Sequence, residues 1–180
     1  MKKIDLSNVP EATEYKVLPA GGYICRLNVV EDVPEKEYLK IEFDIDAGEF
    51  KGHYQELFAK RGFWAGRMFR SYKETALPFF KSFTTALEKS NPGYQWDNDE
   101  TKLVDKVIGI VLAEEEYIGN DGNVKTKLVA DRVHSIEAIK KGDYKTPPKK
   151  FLAGSPNLIK NNDPAGFNAF STDATDDQIF

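Results

Sequence analysis

The sequence predicts a mostly β fold: an OB-fold-like five-stranded antiparallel barrel with one main α-helix between strands three and four, followed by a flexible acidic tail. Two observations carry this. Apolar residues alternate strictly with polar ones along several short runs, and a single stretch with helical spacing interrupts them. A third is compositional. After Lys150 the chain turns to Asn, Pro, Gly, Ala and Asp, which bury too little apolar surface to offset the entropy of ordering them. Residues 1–150 are therefore read as one domain, with 1–20 as an irregular arm, and residues 151–180 as a flexible tail.

The elements follow in order. Leu18-Pro19-Ala20-Gly21-Gly22 is a loop that delivers a first strand over 23–30, where Cys25, Leu27 and Val29 alternate with Arg26 and Asn28. A charged loop over 31–37 leads to a second strand over 38–45, with Leu39, Ile41, Phe43 and Ile45 on one face and Lys40, Glu42 and Asp44 on the other. The glycine-bounded turn 46–52 then predicts a short third strand over 53–58. Ser71 and Glu74 have capping-box spacing, so a helix is expected to start there. Its apolar face is Ala76, Phe79, Phe80, Phe83 and Leu87; Pro78 either kinks it or marks its first turn, and Asn91-Pro92-Gly93 ends it. Strands over 107–117 and 124–133 flank Gly119-Asn120-Asp121-Gly122-Asn123, whose Asp-Gly is a hairpin signal. The order β-β-β-α-β-β is that of an OB-fold, and other small, partly open barrels share it.

Composition narrows the function. A single cysteine, Cys25, excludes an intrachain disulfide, and with His53 and His134 it makes no structural zinc set. No apolar run has bilayer length, and no signal-peptide segment follows Met1, so a cytoplasmic protein is expected. There is no phosphate-binding glycine motif and no nucleophile elbow, and no cofactor or metal is expected. Asp46 with Glu49 and Lys51 imitates a metal-dependent nuclease, with Asp32 or Asp44 as alternative acids. Such sites draw their acids from separate strands, whereas Asp46 and Glu49 share one turn, so the expectation is that the protein is not an enzyme. Asp97-Asn98-Asp99-Glu100 lacks the glycine and distal Glu of a calcium loop.

Charge is unevenly spread along a chain of net −4. Residues 51–81 carry seven basic and two acidic residues together with eight of the 22 aromatics, whereas 151–180 carry one basic and four acidic residues. Cations that neutralise phosphate beside rings that stack on unpaired bases are what sequence-tolerant single-strand binding needs. Within that segment Phe58, Phe79 and Phe80 sit at core spacing. The candidate contacts are Arg61, Phe63, Trp64, Arg67 and Arg70, with Tyr72 and Lys73 beside them and Lys125, Lys127 and Arg132 extending the groove from the last hairpin. The candidate partner-binding residues are Asp173, Asp176, Asp177, Ile179 and Phe180, an acidic stem ending in an apolar pair. This tip resembles the acidic tips of bacterial single-stranded DNA-binding proteins, with Gln178 interrupting the acidic run and Ile179 at the usual proline position.

Leu18-Pro19-Ala20-Gly21-Gly22-Tyr23, Arg70-Ser71-Tyr72-Lys73-Glu74, Ser90-Asn91-Pro92-Gly93-Tyr94-Gln95-Trp96 and Glu114-Glu115-Glu116-Tyr117-Ile118-Gly119-Asn120-Asp121-Gly122 resemble a family of small phage and prophage proteins of replication and recombination modules. The resemblance spans about residues 4–150. It implies a single-stranded DNA-binding protein acting in the bacterial host cell, with replication and recombination proteins as partners of the tail. The alternative is an accessory factor on the same barrel that docks a replication protein without binding DNA.

Overall fold

A computed structural model of the chain describes Asp5, Ser7 and residues 17–153. The chain divides after Lys150 into two units, Met1–Lys150 and Phe151–Phe180. Strands β1 (Gly21–Val33), β2 (Tyr38–Ile45), β3 (Arg67–Ser71), β4 (Val107–Ile118) and β5 (Val124–His134) form one antiparallel sheet in the order β3-β2-β1-β4-β5. Helices α1 (His53–Arg61), α2 (Leu77–Ser90) and α3 (Ile136–Lys141) complete the body. The predicted five-stranded antiparallel class, with its main helix between strands three and four, is what forms. The sheet curls so that β3 and β5 approach, but among the described residues no ladder joins them, and the barrel is open along that seam. Among the described residues no helix is long and apolar enough to cross a membrane.

The core follows from the period-2 pattern. Cys25 and Leu27 of β1, Leu39, Ile41, Phe43 and Ile45 of β2, Met68 of β3 and Ile108, Ile110 and Leu112 of β4 point inward onto Phe83 and Leu87 of α2. Burial pushes the Cys25 thiol well above the ordinary range, as expected of an inert core residue. Strand β4 is buried on both faces through Ala113, because α3 packs on its far side. Gly109 makes that approach possible: a Cβ there would lie 2.4 Å from Ile139 Cγ1.

Three local expectations are corrected. Residues 53–58 are not the third strand but the start of α1, which buries Tyr54 and Leu57 at i, i+3 spacing. Basic Lys60 and Arg61 lie in its last turn, and Gly62, at φ 76°, closes it in the left-handed conformation that glycine adopts without strain. The third strand is instead Arg67–Ser71, within the segment read as a loop followed by a helix start. The capping box does not form. Ser71 ends β3 opposite Tyr38, and its Oγ accepts from the Lys73 amide at 3.2 Å, so a short 3₁₀ turn over Glu74–Ala76 precedes α2. Pro78 sits in the first turn of α2, where its missing N–H costs nothing. That start sets the buried stripe at Phe83, Thr84, Ala86 and Leu87. Phe80 is half-buried, whereas Phe79 is 59% exposed and Phe58 42% exposed, contrary to their predicted core positions.

Candidate nucleic-acid interface

Register places nine side-chain positions on the outer face of β1, β2 and β3. Three rows cross the strands: Val33, Tyr38 and Ser71; Glu31, Lys40 and Phe69; Val29, Glu42 and Arg67. Because β2 alternates, Tyr38, Lys40 and Glu42 face out while Leu39, Ile41 and Phe43 fill the core. The rows lie about 6.8 Å apart along a strand, two residues of rise. Phe69 is 54% exposed and meets the Tyr38 ring edge to face, with centroids 5.2 Å apart. This diagonal contact braces the open Phe69 ring with the half-buried Tyr38, beside Lys40 and Arg67. Lys40 reaches Glu31 at 2.9 Å, and Arg67 reaches Glu42 at 2.7 Å.

At the Arg67 end of this face the chain leads back to residues 61–66. Arg61 is exposed at the end of α1, and Phe63, 56% exposed, is the first residue past Gly62. Trp64 turns the other way. It packs on the core near Phe58, 5.9 Å between ring centroids, and its indole N–H donates to the Gly66 carbonyl at 3.0 Å. Gly66 itself has no room for a side chain: a Cβ would lie 2.3 Å from the Phe43 carbonyl oxygen and 2.7 Å from the Tyr54 ring. Gly66→Ala is therefore expected to destabilise the domain by about 2 kcal/mol through overpacking, visible as a lower thermal midpoint. An unchanged midpoint would show that the 62–66 segment yields.

The other end carries Tyr72 and Lys73. The Tyr72 hydroxyl donates to Asp32 at 2.8 Å, which pushes its pKa up to about 12, and its ring meets Phe80 edge to face at 6.1 Å. Lys73 is exposed. Lys125 pairs with Asp121 at 3.0 Å, Lys127 with Glu115 at 3.5 Å, and Arg132 with Asp131 at 3.3 Å. These three lie on β5, at the opposite edge of the sheet order from β3, so the register does not bring them into the nine-position face. The predicted partner-binding residues Asp173, Asp176, Asp177, Ile179 and Phe180 lie outside the described residues.

Arg70 departs most from its predicted role. Opposite Leu39 on the inner face of β3, its guanidinium lies 6.0 Å from the centroid of the Phe83 ring, and its Nε and Nη2 are covered without a hydrogen-bond partner. Burial lowers its pKa to about 10, and the Asp131 charge offsets part of this. Asp131 has other partners in Arg132 and Lys150. Arg70→Met is thus expected to be neutral or stabilising by about 1 kcal/mol in urea denaturation, because a desolvated cation gives way to an apolar chain of similar length. A loss above about 2 kcal/mol would mean that the guanidinium has a strong partner.

The nuclease-like residues are otherwise engaged. Asp46 accepts from Arg26 at 2.8 and 3.3 Å and lies 3.8 Å from Lys51. Asp44, read from alternation as solvent-facing, is buried and caps α1: its carboxylate accepts from the amides of Ile45, Tyr54 and Gln55 at 2.8, 2.9 and 3.1 Å. Among the described residues no group of three or more His, Cys, Asp or Glu side chains is arranged to hold a metal ion.

Sequence reasoning missed Tyr38 and Lys40, and it counted Phe69 among the aromatics without assigning it to the face. The signal was present. Once Arg67-Met68-Phe69-Arg70 is read as a strand, Arg67 and Phe69 share a face, and they pair with alternate residues of β2. Neither a scan of protein-family models nor a search of curated proteins returns a match for this chain.

Proposed function

We propose that the domain is a non-enzymatic, sequence-tolerant single-stranded DNA-binding module that takes unpaired bases on the outer face of β1, β2 and β3. The observation that carries this is the exposed Phe69 ring, braced edge to face by the half-buried Tyr38 and set beside Lys40 and Arg67 on a sheet of OB-like order. Stacking on an aromatic face is sequence-tolerant, because every base presents a π-surface. The strands-two-and-three face is also where OB-folds take oligonucleotides. Phe63 and Arg61 extend the path beyond Arg67, at most about 20 and 27 Å from Phe69 along an extended chain. DNA, a phage replication or recombination setting, and partner recruitment by the acidic C-terminal tip are parts of this proposal supported by sequence resemblance.

Anisotropy titration of a labelled oligo-dT tests it. Saturable binding is expected, with log affinity falling linearly against log salt at about 0.7 per phosphate contact. No binding at about 100 µM protein, the weak end of the non-specific range, refutes the proposal.

A further inference from the structure

The two cations of the outer face are both neutralised by their cross-strand neighbours. Lys40 lies directly opposite Glu31 in the β1–β2 register, and Arg67 lies directly opposite Glu42 in the β2–β3 register. Both pairs are closed, at 2.9 and 2.7 Å. The Glu42 side chain is only 20% exposed, so its carboxylate stays within the face even when a phosphate competes for Arg67. Among the nine positions the charges are two positive and two negative, alongside open apolar surface at Val29 and Phe69 and a half-buried ring at Tyr38. A face that bound chiefly through phosphates would leave its cations unpaired. This one leaves the Phe69 ring open instead.

We infer that Glu31 and Glu42 determine single-strand selectivity, by suppressing at Lys40 and Arg67 the phosphate-only binding that a duplex would use. The inference rests on the proposed binding face. A duplex keeps its bases stacked inside and offers mainly phosphates, which are double-stranded DNA's route to sequence-independent binding. Against paired cations that route gains little, since each phosphate must displace a carboxylate that then repels it. An unpaired strand still gains from Tyr38 and Phe69. Binding to oligo-dT should therefore depend on salt only shallowly.

The test uses the full chain and its Glu31→Gln, Glu42→Gln and double variants, titrated against a 20-nucleotide oligo-dT and a 20-base-pair duplex over a range of salt. Glu137→Gln on α3, where Glu137 pairs with Lys141, controls for net charge alone. The double variant is expected to bind duplex at least about tenfold tighter at low salt, with a steeper salt slope. Oligo-dT should gain only about two- to threefold, so the selectivity ratio falls. The single variants should show part of the effect, and the control none. Equal gains on both substrates, no gain on either, or the same gain in the Glu137 control would overturn the inference while leaving the binding face intact. Failure of the unmodified protein to bind oligo-dT would refute the face and this inference together. Because Gln matches Glu in shape, near-unchanged melting is expected; should Glu42→Gln fail to fold, Glu31→Gln alone must still lower the ratio.

Discussion

Alanine at both Tyr38 and Phe69 is expected to weaken oligo-dT binding by about 2–4 kcal/mol, roughly 30- to 1000-fold, with the domain still folded. One stacked base contributes about 1–3 kcal/mol to such complexes, and the two rings contact one another, so the double loss should fall short of twice the larger value. Folding should survive because both side chains stand on the outer face, where Phe69 is already 54% exposed. The edge-to-face contact contributes about 1 kcal/mol to the sheet, which a domain of ordinary stability can lose. Phe69→Leu sharpens the test by keeping apolar area while removing the π-surface. Its affinity should lie near that of Phe69→Ala if stacking drives binding, and near the unmodified protein if plain apolar burial does. A double variant that melts normally and still binds oligo-dT with unchanged affinity would place the interface elsewhere.

The strands β1, β2, β4 and β5 were legible because each keeps a period of two or a continuous apolar run, and Asp121-Gly122 marks the last hairpin. The third strand was misplaced for a physical reason. After the second strand a meander would continue directly, so residues 53–58 looked like its next leg. Their helical signals were short-range: Tyr54 and Leu57 three apart, Lys60 and Arg61 in the last turn, and Gly62 just past it. Nine residues are too few for an amphipathic stripe to outweigh the expected topology. The cap that starts this helix lies ten residues back at Asp44, beyond the reach of local patterning. Ser71 shows the reverse error. It matches a capping motif locally, but its place in the β2–β3 ladder decides its conformation, and tertiary pairing prevails over a four-residue signal.

The candidate interface was legible in composition more than in position. The segment 51–81 does supply Arg67 and Phe69 to the outer face, and Arg61 and Phe63 are exposed just before them in the chain. The same segment also supplies Trp64 and Arg70 to the interior, a split that neither charge nor aromaticity announces. The other half of the face, Tyr38 and Lys40, comes from a strand nearly thirty residues earlier. Only register joins the two. The pairing of Lys40 and Arg67 with carboxylates is equally a product of register, since Glu31 and Glu42 are ordinary polar alternations until the strands are laid side by side.

Asp44→Ala is expected to cost about 3 kcal/mol of folding stability. One carboxylate there satisfies three backbone amides, two at the start of α1 and one at the end of β2. The residue at the N-cap position is Gly52, which has no side chain to substitute for it. Hydrogen bonds to a charged acceptor contribute about 1.5–3 kcal/mol each when a buried donor would otherwise be orphaned, and water reaching the loosened helix end recovers part of the total. The negative charge also faces the positive end of the α1 dipole, worth about 0.5 kcal/mol more. Asp44→Asn keeps an acceptor but loses the charge and one acceptor oxygen, so it should cost roughly half as much. Urea denaturation measures both, and hydrogen exchange at the Tyr54 and Gln55 amides should accelerate in the alanine variant before exchange in β1 and β4 does, because the helix start opens locally. The chain from Asp44 runs through α1 to Arg61 and Phe63, so the alanine variant should also bind oligo-dT more weakly even at temperatures where β1 and β4 remain protected. A cost below about 1 kcal/mol, or equal costs for Ala and Asn, would show that α1 is held by its buried Tyr54 and Leu57 rather than by this carboxylate.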